Sequence, residues 1–457
     1  MPLPALGLLA RHQGTLKLAV IGLIVLLSLY PLHRIHEIVR ERQATSHQVE
    51  QEIAEVWGGA QEIVGPILAV PIALDPQGVM PDPNGRGVGQ KPRTLFVLPE
   101  SLTIDSRIEP EVRARGIYEA ILYRSQSAFS GSFGRPDLGA LGLEEEDLQW
   151  DQAWLEVRIS DLRGLVDVQE VTWNDAALEL GLAAPGRPAV TAALPASGAA
   201  EGTWPARFAI TLSLNGSQAL AFLPLGQQSE VALASPWPHP SFAGDLLPGE
   251  STIDGAGFTA RWSLSRFHRS LADAWVQSAD DPGALLKSAN LRQIAVRLVE
   301  PVNHYLMSER SVKYGLLFVA LVSAVLFVFE AVAGARVHPV QYVMVAAALC
   351  LFFLLLLSLS EVIGFSAGYA VAAGLTTTLL AGYVTSVLKS RRRGAALGGL
   401  LLLVYGTLYL TLRSEDHALL LGSSLLFVAL ALAMFATRKI DWYALGPDRI
   451  LSKQSDA

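Results

Sequence analysis

YGLLFVALVSAVLFVFEAV, residues 314–332, contains a single charged residue, Glu330. A helix rises about 1.5 Å per residue, so a run of this length reaches across the hydrocarbon of a bilayer. Backbone amides in lipid have no water to bond, which leaves a helix as the form an isolated apolar run can take. Four similar runs follow, at 340–359, 363–388, 395–412 and 418–435. One precedes them, LKLAVIGLIVLLSLYPL at 16–32, with Arg11, His12 and Lys17 at its start. No small-x-small cleavage site follows it, so it is expected to stay as an uncleaved anchor.

Hydrophobic residues make up 51% of the chain and charged residues 17%, too apolar for an ordinary soluble enzyme. The excess sits in those runs and leaves a normally polar middle. The expected organisation is an N-terminus and anchor (1–34), a polar domain (35–313), a five-helix bundle (314–437) and a tail (438–457). A net charge of −7 argues against nucleic acid as a partner. The single cysteine, Cys350, lies in an apolar run, so the polar domain can form no disulfide and offers no thiol for zinc or for nucleophilic attack.

Orientation follows from Lys and Arg in the short loops, where acids hardly count. Alternate loops hold Arg336, then Lys389, Arg391, Arg392 and Arg393, then Arg438 and Lys439. The intervening ones hold Glu361 alone, then Arg413 offset by Glu415 and Asp416. The basic set belongs in the cytosol, so both termini are expected there and residues 35–313 outside. Arg34, Arg40 and Arg42 after the first run oppose this, but a long domain translocates largely regardless of such charges.

In the polar domain, residues 35–57 have apolar positions at roughly helical spacing and end at Gly58-Gly59, which suits an amphipathic continuation of the anchor. Strand patterns follow: IVGPILAVPIAL (63–74), RTLFVLPESLTIDSRIE (93–109), GIYEAILYRSQSAFSGSF (116–133), WLEVRISD (154–161), RFAITLSLNG (207–216), FTARWSLS (258–265) and RQIAVRLVE (292–300). They are short, partly alternating, and rich in β-branched and aromatic residues. Together they predict a β-rich, antiparallel sandwich or open barrel. Pro66 and Pro71 mark the first strand as an edge or an irregular one. Residues 75–92 and 184–205 read as loops.

No motif for a nucleophile elbow, a zinc protease, a phosphate loop or a dinucleotide fold is present. No catalytic residue, cofactor or metal site is therefore expected. His33, His36 and Glu37 have helical spacing, but at the end of an anchor they suit an interfacial polar cluster. The acidic run from Glu144 to Asp147 suits a solvated turn. SPWPHPSFAGDLLPG at 235–249 stands out, because Pro236, Pro238 and Pro240 fix φ and remove three backbone donors. The stretch should be stiff, presenting Trp237, His239 and Phe242 with Asp245 close behind. It suits a recognition ridge for a glycan or peptide; as a rigid crossover, with Trp237 filling core space, it is better accounted for. Among the apolar runs, Glu330 falls a turn or two from Arg336 and His338, and Glu361 at the outer end of the next run. Charges near interfaces can snorkel, whereas an ion pathway wants acids near the midplane. Trp442 and Tyr443 suit an interfacial belt.

The chain resembles the CreD family of bacterial inner-membrane proteins. The resemblance rests on IVGPILAVPI (63–72), SPWPHPSFAGDLLP (235–248), SERSVKYGLL (308–317), FVFEAVAGARVHPVQY (327–342), LLLSLSEVIGF (355–365), ALLLGSS (418–424) and IDWYA (440–444). It implies a Gram-negative inner-membrane protein controlled by the CreBC two-component system and linked to envelope integrity, tolerance of certain colicins and β-lactam response. It supplies no catalytic residue. The expected role is non-enzymatic, with the domain outside the membrane binding an envelope component: peptidoglycan, lipopolysaccharide or a protein. A small-solute transporter or channel through the bundle is the alternative, and a cell-wall hydrolase using acids such as Asp245 is a third.

Overall fold

The computed structural model describes residues 13–73, 93–182, 188–195, 204–269, 271–278, 292–299, 304–333, 337–413 and scattered positions from 420 to 438. The loop expected at 75–92, Arg336, Trp442 and Tyr443 lie outside them, as does most of the run at 418–435. The chain forms two compact units: Met1–Thr45 with Val302–Ala457, and Ser46–Pro301.

The first unit is helical. Helix α1 (Gln13–Leu27) is followed after Ser28 by α2 (Leu29–Trp57), whose last turns belong to the second unit. Then come α3 (His304–Lys313), α4 (Gly315–Ala333), α5 (Pro339–Ile363), α6 (Phe365–Val387) and α7 (Arg391–Arg413). Among the described residues four helical stretches are long and apolar enough to cross a membrane, or five if α3 and α4, bent by 46°, count as one span. Pro339 opens α5 at the first helical position, where a missing N–H costs nothing. Small residues let α6 and α7 approach: a side-chain carbon on Gly394 would stand 1.8 Å from the Thr385 hydroxyl. The interior is aromatic, with Phe352 and Tyr405 rings 4.5 Å apart, Phe318 5.6 Å from Tyr405, and the Tyr369 hydroxyl donating to the Tyr405 carbonyl at 2.6 Å.

The second unit is built of strands β1 (Gln61–Ile72), β2 (Arg93–Val97), β3 (Ser101–Arg115), β4 (Tyr118–Phe133), β5 (Trp154–Ile159), β6 (Leu165–Trp173), β7 (Ala176–Ala177), β8 (Leu180–Leu182) and β9 (Ala189–Ala193). They continue with β10 (Ala206–Ser217), β11 (Ala219–Leu223), β12 (Gln228–Ser235), β13 (Pro240–Gly244), β14 (Glu250–Asp254), β15 (Gly257–Ser265), β16 (Ala274–Ser278) and β17 (Ile294–Leu298). One sheet runs β13-β17-β11-β1-β5-β9-β8, with β2 joining β16 to β1. The other runs β14-β15-β12-β3-β4-β10-β6-β7. In the β3–β4 hairpin burial alternates, so Leu102, Ile104, Ile108 and Phe129 face inward while Asp105, Arg107 and Arg124 face water. Phe129 meets Phe222 of the other sheet at 6.0 Å, so one core joins the two faces.

Two expectations are corrected and a third is resolved. The sheets are mixed rather than antiparallel, because β1 pairs β11 and β3 pairs β12 in parallel. Those pairings join strands far apart in sequence, which no local pattern encodes. Of the two readings of β1, an edge or an irregular strand, the second holds: it lies between β5 on one side and β11 and β2 on the other, and its irregularity is a register shift between Val64 and Ile67, across Gly65-Pro66. The stretch at 184–205 is not all loop. Ala189–Ala193 is a strand because its backbone completes the ladder with β5, whatever its small residues prefer.

The end of α2 is pinned by backbone contact. Gly58 has φ +125, and a side-chain carbon there would stand 2.6 Å from the Gly164 Cα. The Gln61 amide donates to the carbonyls of Gly58, Asp161 and Asn215, tying three segments at one point. Trp57 donates to the Tyr123 carbonyl at 3.4 Å and lies under the Arg113 guanidinium at 3.9 Å.

Candidate functional site

The segment at 235–249 is the passage between the sheets. Strand β12 ends at Ser235 in one sheet and β13 begins at Pro240 in the other, so Pro236 and Pro238 occupy the crossover, where no ladder hydrogen bond is lost. Trp237 is half-buried against the core and its indole donates to the Val299 carbonyl at 3.1 Å. Phe242 meets Phe258 and Trp262 edge-on, each at 5.9 Å. Both aromatics therefore hold the crossover down. His239 and Asp245 remain exposed. Asp245 accepts from the Gln293 amide at 2.9 Å and so secures the edge where β13 meets β17.

The crossover also borders a cleft that sequence reasoning missed. It has a volume of about 330 Å³ and is lined by Arg107, Ser235, Pro236, Thr252, Asp254 and Phe258 among others. Gly257, at φ +142, makes it possible, since a side-chain carbon there would stand 2.1 Å from the Ser235 carbonyl. Arg107 also lines a second cleft of about 250 Å³ with Glu109, Arg124, Gln126, Ser213 and Asn215. Alternating polar residues on β3, β4 and β10 were the available signal, but pairing of those strands was needed to assemble them.

In the helical unit Glu330 is partnered rather than snorkelling alone. Its carboxylate pairs with Lys17 of α1, accepts from the Val337 amide at 3.1 Å, and accepts from the Tyr342 hydroxyl at 2.9 Å. Lys17 also donates to the Val337 carbonyl at 2.8 Å. The pair is largely buried, with 24% and 11% of the two side chains exposed. His338 caps α5, its Nδ1 accepting from Val340 N at 3.3 Å. Glu361 lies at the other end of α5 and accepts from the Tyr305 hydroxyl at 3.2 Å. Tyr342 and Glu361 are about 28 Å apart along the helix, close to the thickness of the hydrocarbon. The two acids therefore do not form one site. His33 stands 3.4 Å from Glu37, whereas His36 stands 3.9 Å from Glu309, so the helical spacing gathers no common set. The acidic run forms an exposed turn at Glu145–Asp147, with Glu145 taking Arg135 at 3.0 Å. No group of three or more ligating side chains suited to a metal is present among the described residues.

Apolar helices with charges paired between them, joined to a two-sheet β-rich unit, define a membrane protein of several spans. The family model for inner membrane protein CreD matches residues 13–443. Inner membrane protein CreD of Escherichia coli (strain K12) is 34% identical over 429 residues, covering 92% of each chain. The chain belongs to the CreD family of inner membrane proteins. Among solved structures, an M1 zinc metallopeptidase from Deinococcus radiodurans covers 44% of this chain and 42% of its own at 9% identity, with a TM-score of 0.22 that carries no argument about fold or activity.

Proposed function

We propose that the protein is a non-enzymatic envelope-integrity component whose β-rich unit stands in the periplasm and binds another envelope molecule, while the helices anchor it. The observation that carries this reading is the crossover. Two aromatics clamp its backbone to the core, His239 and Asp245 stay exposed at the two ends of β13, and Ser235 and Pro236 at the start of the segment border the 330 Å³ cleft. A fixed, solvent-facing segment favours recognition because little ordering entropy is lost on binding. The loop charges favour a periplasmic location. Asp245 is engaged with the Gln293 amide, which favours a binding role over the hydrolase alternative.

The test is in vivo crosslinking from a photoreactive residue at position 239. Capture of one envelope component, with a matched position such as Gln169 giving none, supports the reading. Equal and diffuse capture from both positions contradicts it. A second reading, transport through the helices, is favoured by the buried Lys17–Glu330–Tyr342 cluster. Loss of the envelope phenotype in Glu330→Gln protein that still inserts and folds would favour it.

A further inference from the structure

We infer that the cleft of about 330 Å³ beside the crossover binds an uncharged saccharide. This names the class of the envelope molecule in the reading above and rests on it. The cleft is built on one row of residues that crosses four neighbouring strands. Thr252 of β14 pairs with Thr259 of β15, Thr259 with Ala234 of β12, and Ala234 with Arg107 of β3. Thr259, Ala234 and Arg107 each lie between buried neighbours, so the row faces outward. Three steps of about 4.8 Å between strands make it about 14 Å long. Two residues along each strand, Asp254, Gly257 and Pro236 continue the lining.

The polar groups of this cleft are few, unlike one another and open to a ligand. Among the described residues no hydrogen bond engages the hydroxyl of Thr252 or of Thr259. Asp254 uses one carboxylate oxygen to accept from the Ala256 amide at 2.8 Å and keeps the other. The Arg107 Nε meets Glu109 at 3.4 Å in an exposed pair, which leaves the two terminal nitrogens. The second cleft, on the far side of Arg107, differs. There Gln126 donates to Gln169 at 3.2 Å and Gln169 to Ser213 at 3.4 Å, so its side chains already serve one another.

Two hydroxyls, a carboxylate oxygen and guanidinium N–H groups thus stand around the apolar surface of Ala234, Ala256 and Pro236. Mixed donors and acceptors on apolar ground match a sugar ring, whose hydroxyls project from C–H faces. Other classes fit less well. Arg107 and Asp254 cancel, so a polyanion gains no net attraction. An extended peptide binds through free main-chain groups, and β15, β12 and β3 each have a neighbour on both sides. An acyl chain would stay wet, because Thr252, Asp254, Thr259 and Pro236 are all exposed.

The full-length protein, in micelles of a detergent without a sugar headgroup, would be titrated calorimetrically with tri-N-acetylglucosamine, maltotriose, trigalacturonate and N-acetyl-trialanine amide. At least one of the two neutral trisaccharides is expected to bind, about tenfold or more tighter than the acidic one and the peptide. Thr259→Phe keeps a strand-forming residue but fills the cleft, and should weaken binding about tenfold or more, with circular dichroism confirming the fold. Asp254→Asn and Arg107→Gln, at exposed positions, should each weaken it about threefold to tenfold. Ser213→Ala, two strands beyond Arg107, should change it less than about twofold. No binding of either neutral sugar, or binding untouched by Thr259→Phe and Asp254→Asn in folded protein, would overturn the site. Equal or tighter binding of trigalacturonate or the peptide would overturn the ligand class. Specific crosslinks from position 239 without saccharide binding would sink this site and leave the broader reading standing. Saccharide binding lost in Thr259→Phe, with no envelope crosslink from 239, would do the reverse.

Discussion

The two units pair their buried ions in different ways. In the β-rich unit the partners are close in sequence: Glu156 with Arg158 at 2.6 Å, two residues along a strand, and Arg269 with Asp273, four residues on. In the helical unit the partners come from distant segments, with Lys17 meeting Glu330, His36 meeting Glu309 and Tyr305 meeting Glu361. A sheet face places residues at i and i+2 side by side, so short polar pairs form locally. A helix in lipid can meet a buried charge only by docking against another helix. The β-rich unit should therefore tolerate loss of most single polar pairs, and the helical unit should not.

The largest expected effect tests that contrast directly. Lys17→Met leaves Glu330 buried without its cation, a loss of about 3–5 kcal/mol. Membrane-integrated protein should fall sharply, and Lys17→Met with Glu330→Gln should restore much of it. The level of folded protein in isolated membranes is the measurement, and an unchanged level for Lys17→Met would break the contrast.

Next comes Gly58→Val at the end of α2, where φ is +125 and the Gly164 backbone is 2.6 Å from the new carbon. A loss of about 3 kcal/mol is expected, because the backbone on both sides would have to move. Trp57→Ala should cost about 1–3 kcal/mol by removing the Arg113 contact and the bond to Tyr123. Denaturant titration followed by tryptophan fluorescence would rank the two, and a larger loss for Trp57→Ala would contradict the tight packing assigned to Gly58.

The smallest effect concerns Asp161. The side-chain hydrogen bond from Arg163 holds its carboxyl below the ordinary carboxylate value, with burial opposing it. A lowered folded value contributes stability above the unfolded pKa, near 4, and loses it as pH falls through the folded one. Asp161 is mostly solvated, so Asp161→Asn should cost less than about 1 kcal/mol at pH 7 and nothing at the acid end. Stability measured at both pH values checks this, and a loss that grew on acidification would contradict the assignment.

The helical spans were legible because lipid demands long apolar runs, and composition alone displays them. Strands β3, β4 and β10 were legible through their alternation. Strand β9 was hidden, since AVTAA between proline- and glycine-rich flanks has no pattern, and its partner β5 decides its state. Parallel pairing of β1 with β11 was hidden for the same reason. Within the site, the prolines announced the crossover, yet only the structure separated the anchoring Trp237 and Phe242 from the exposed His239 and Asp245. Glu330 was conspicuous as a charge in an apolar run. Its partner Lys17 was not, because sequence does not say which helix docks beside it. Arg269 was invisible: in SRFHRS nothing marks which arginine is buried.

The most direct measurement uses the chain's single cysteine, Cys350, which is buried. In a Cys350→Ser background, a cysteine at Asp254 in the β-rich unit and another at Arg391, at the start of α7, would each be exposed to a membrane-impermeant maleimide in intact spheroplasts. Labelling at 254 without permeabilisation, and at 391 only after it, is the expected result. Labelling at 391 in intact spheroplasts, with 254 protected until they are opened, would reverse the topology and contradict the periplasmic binding role.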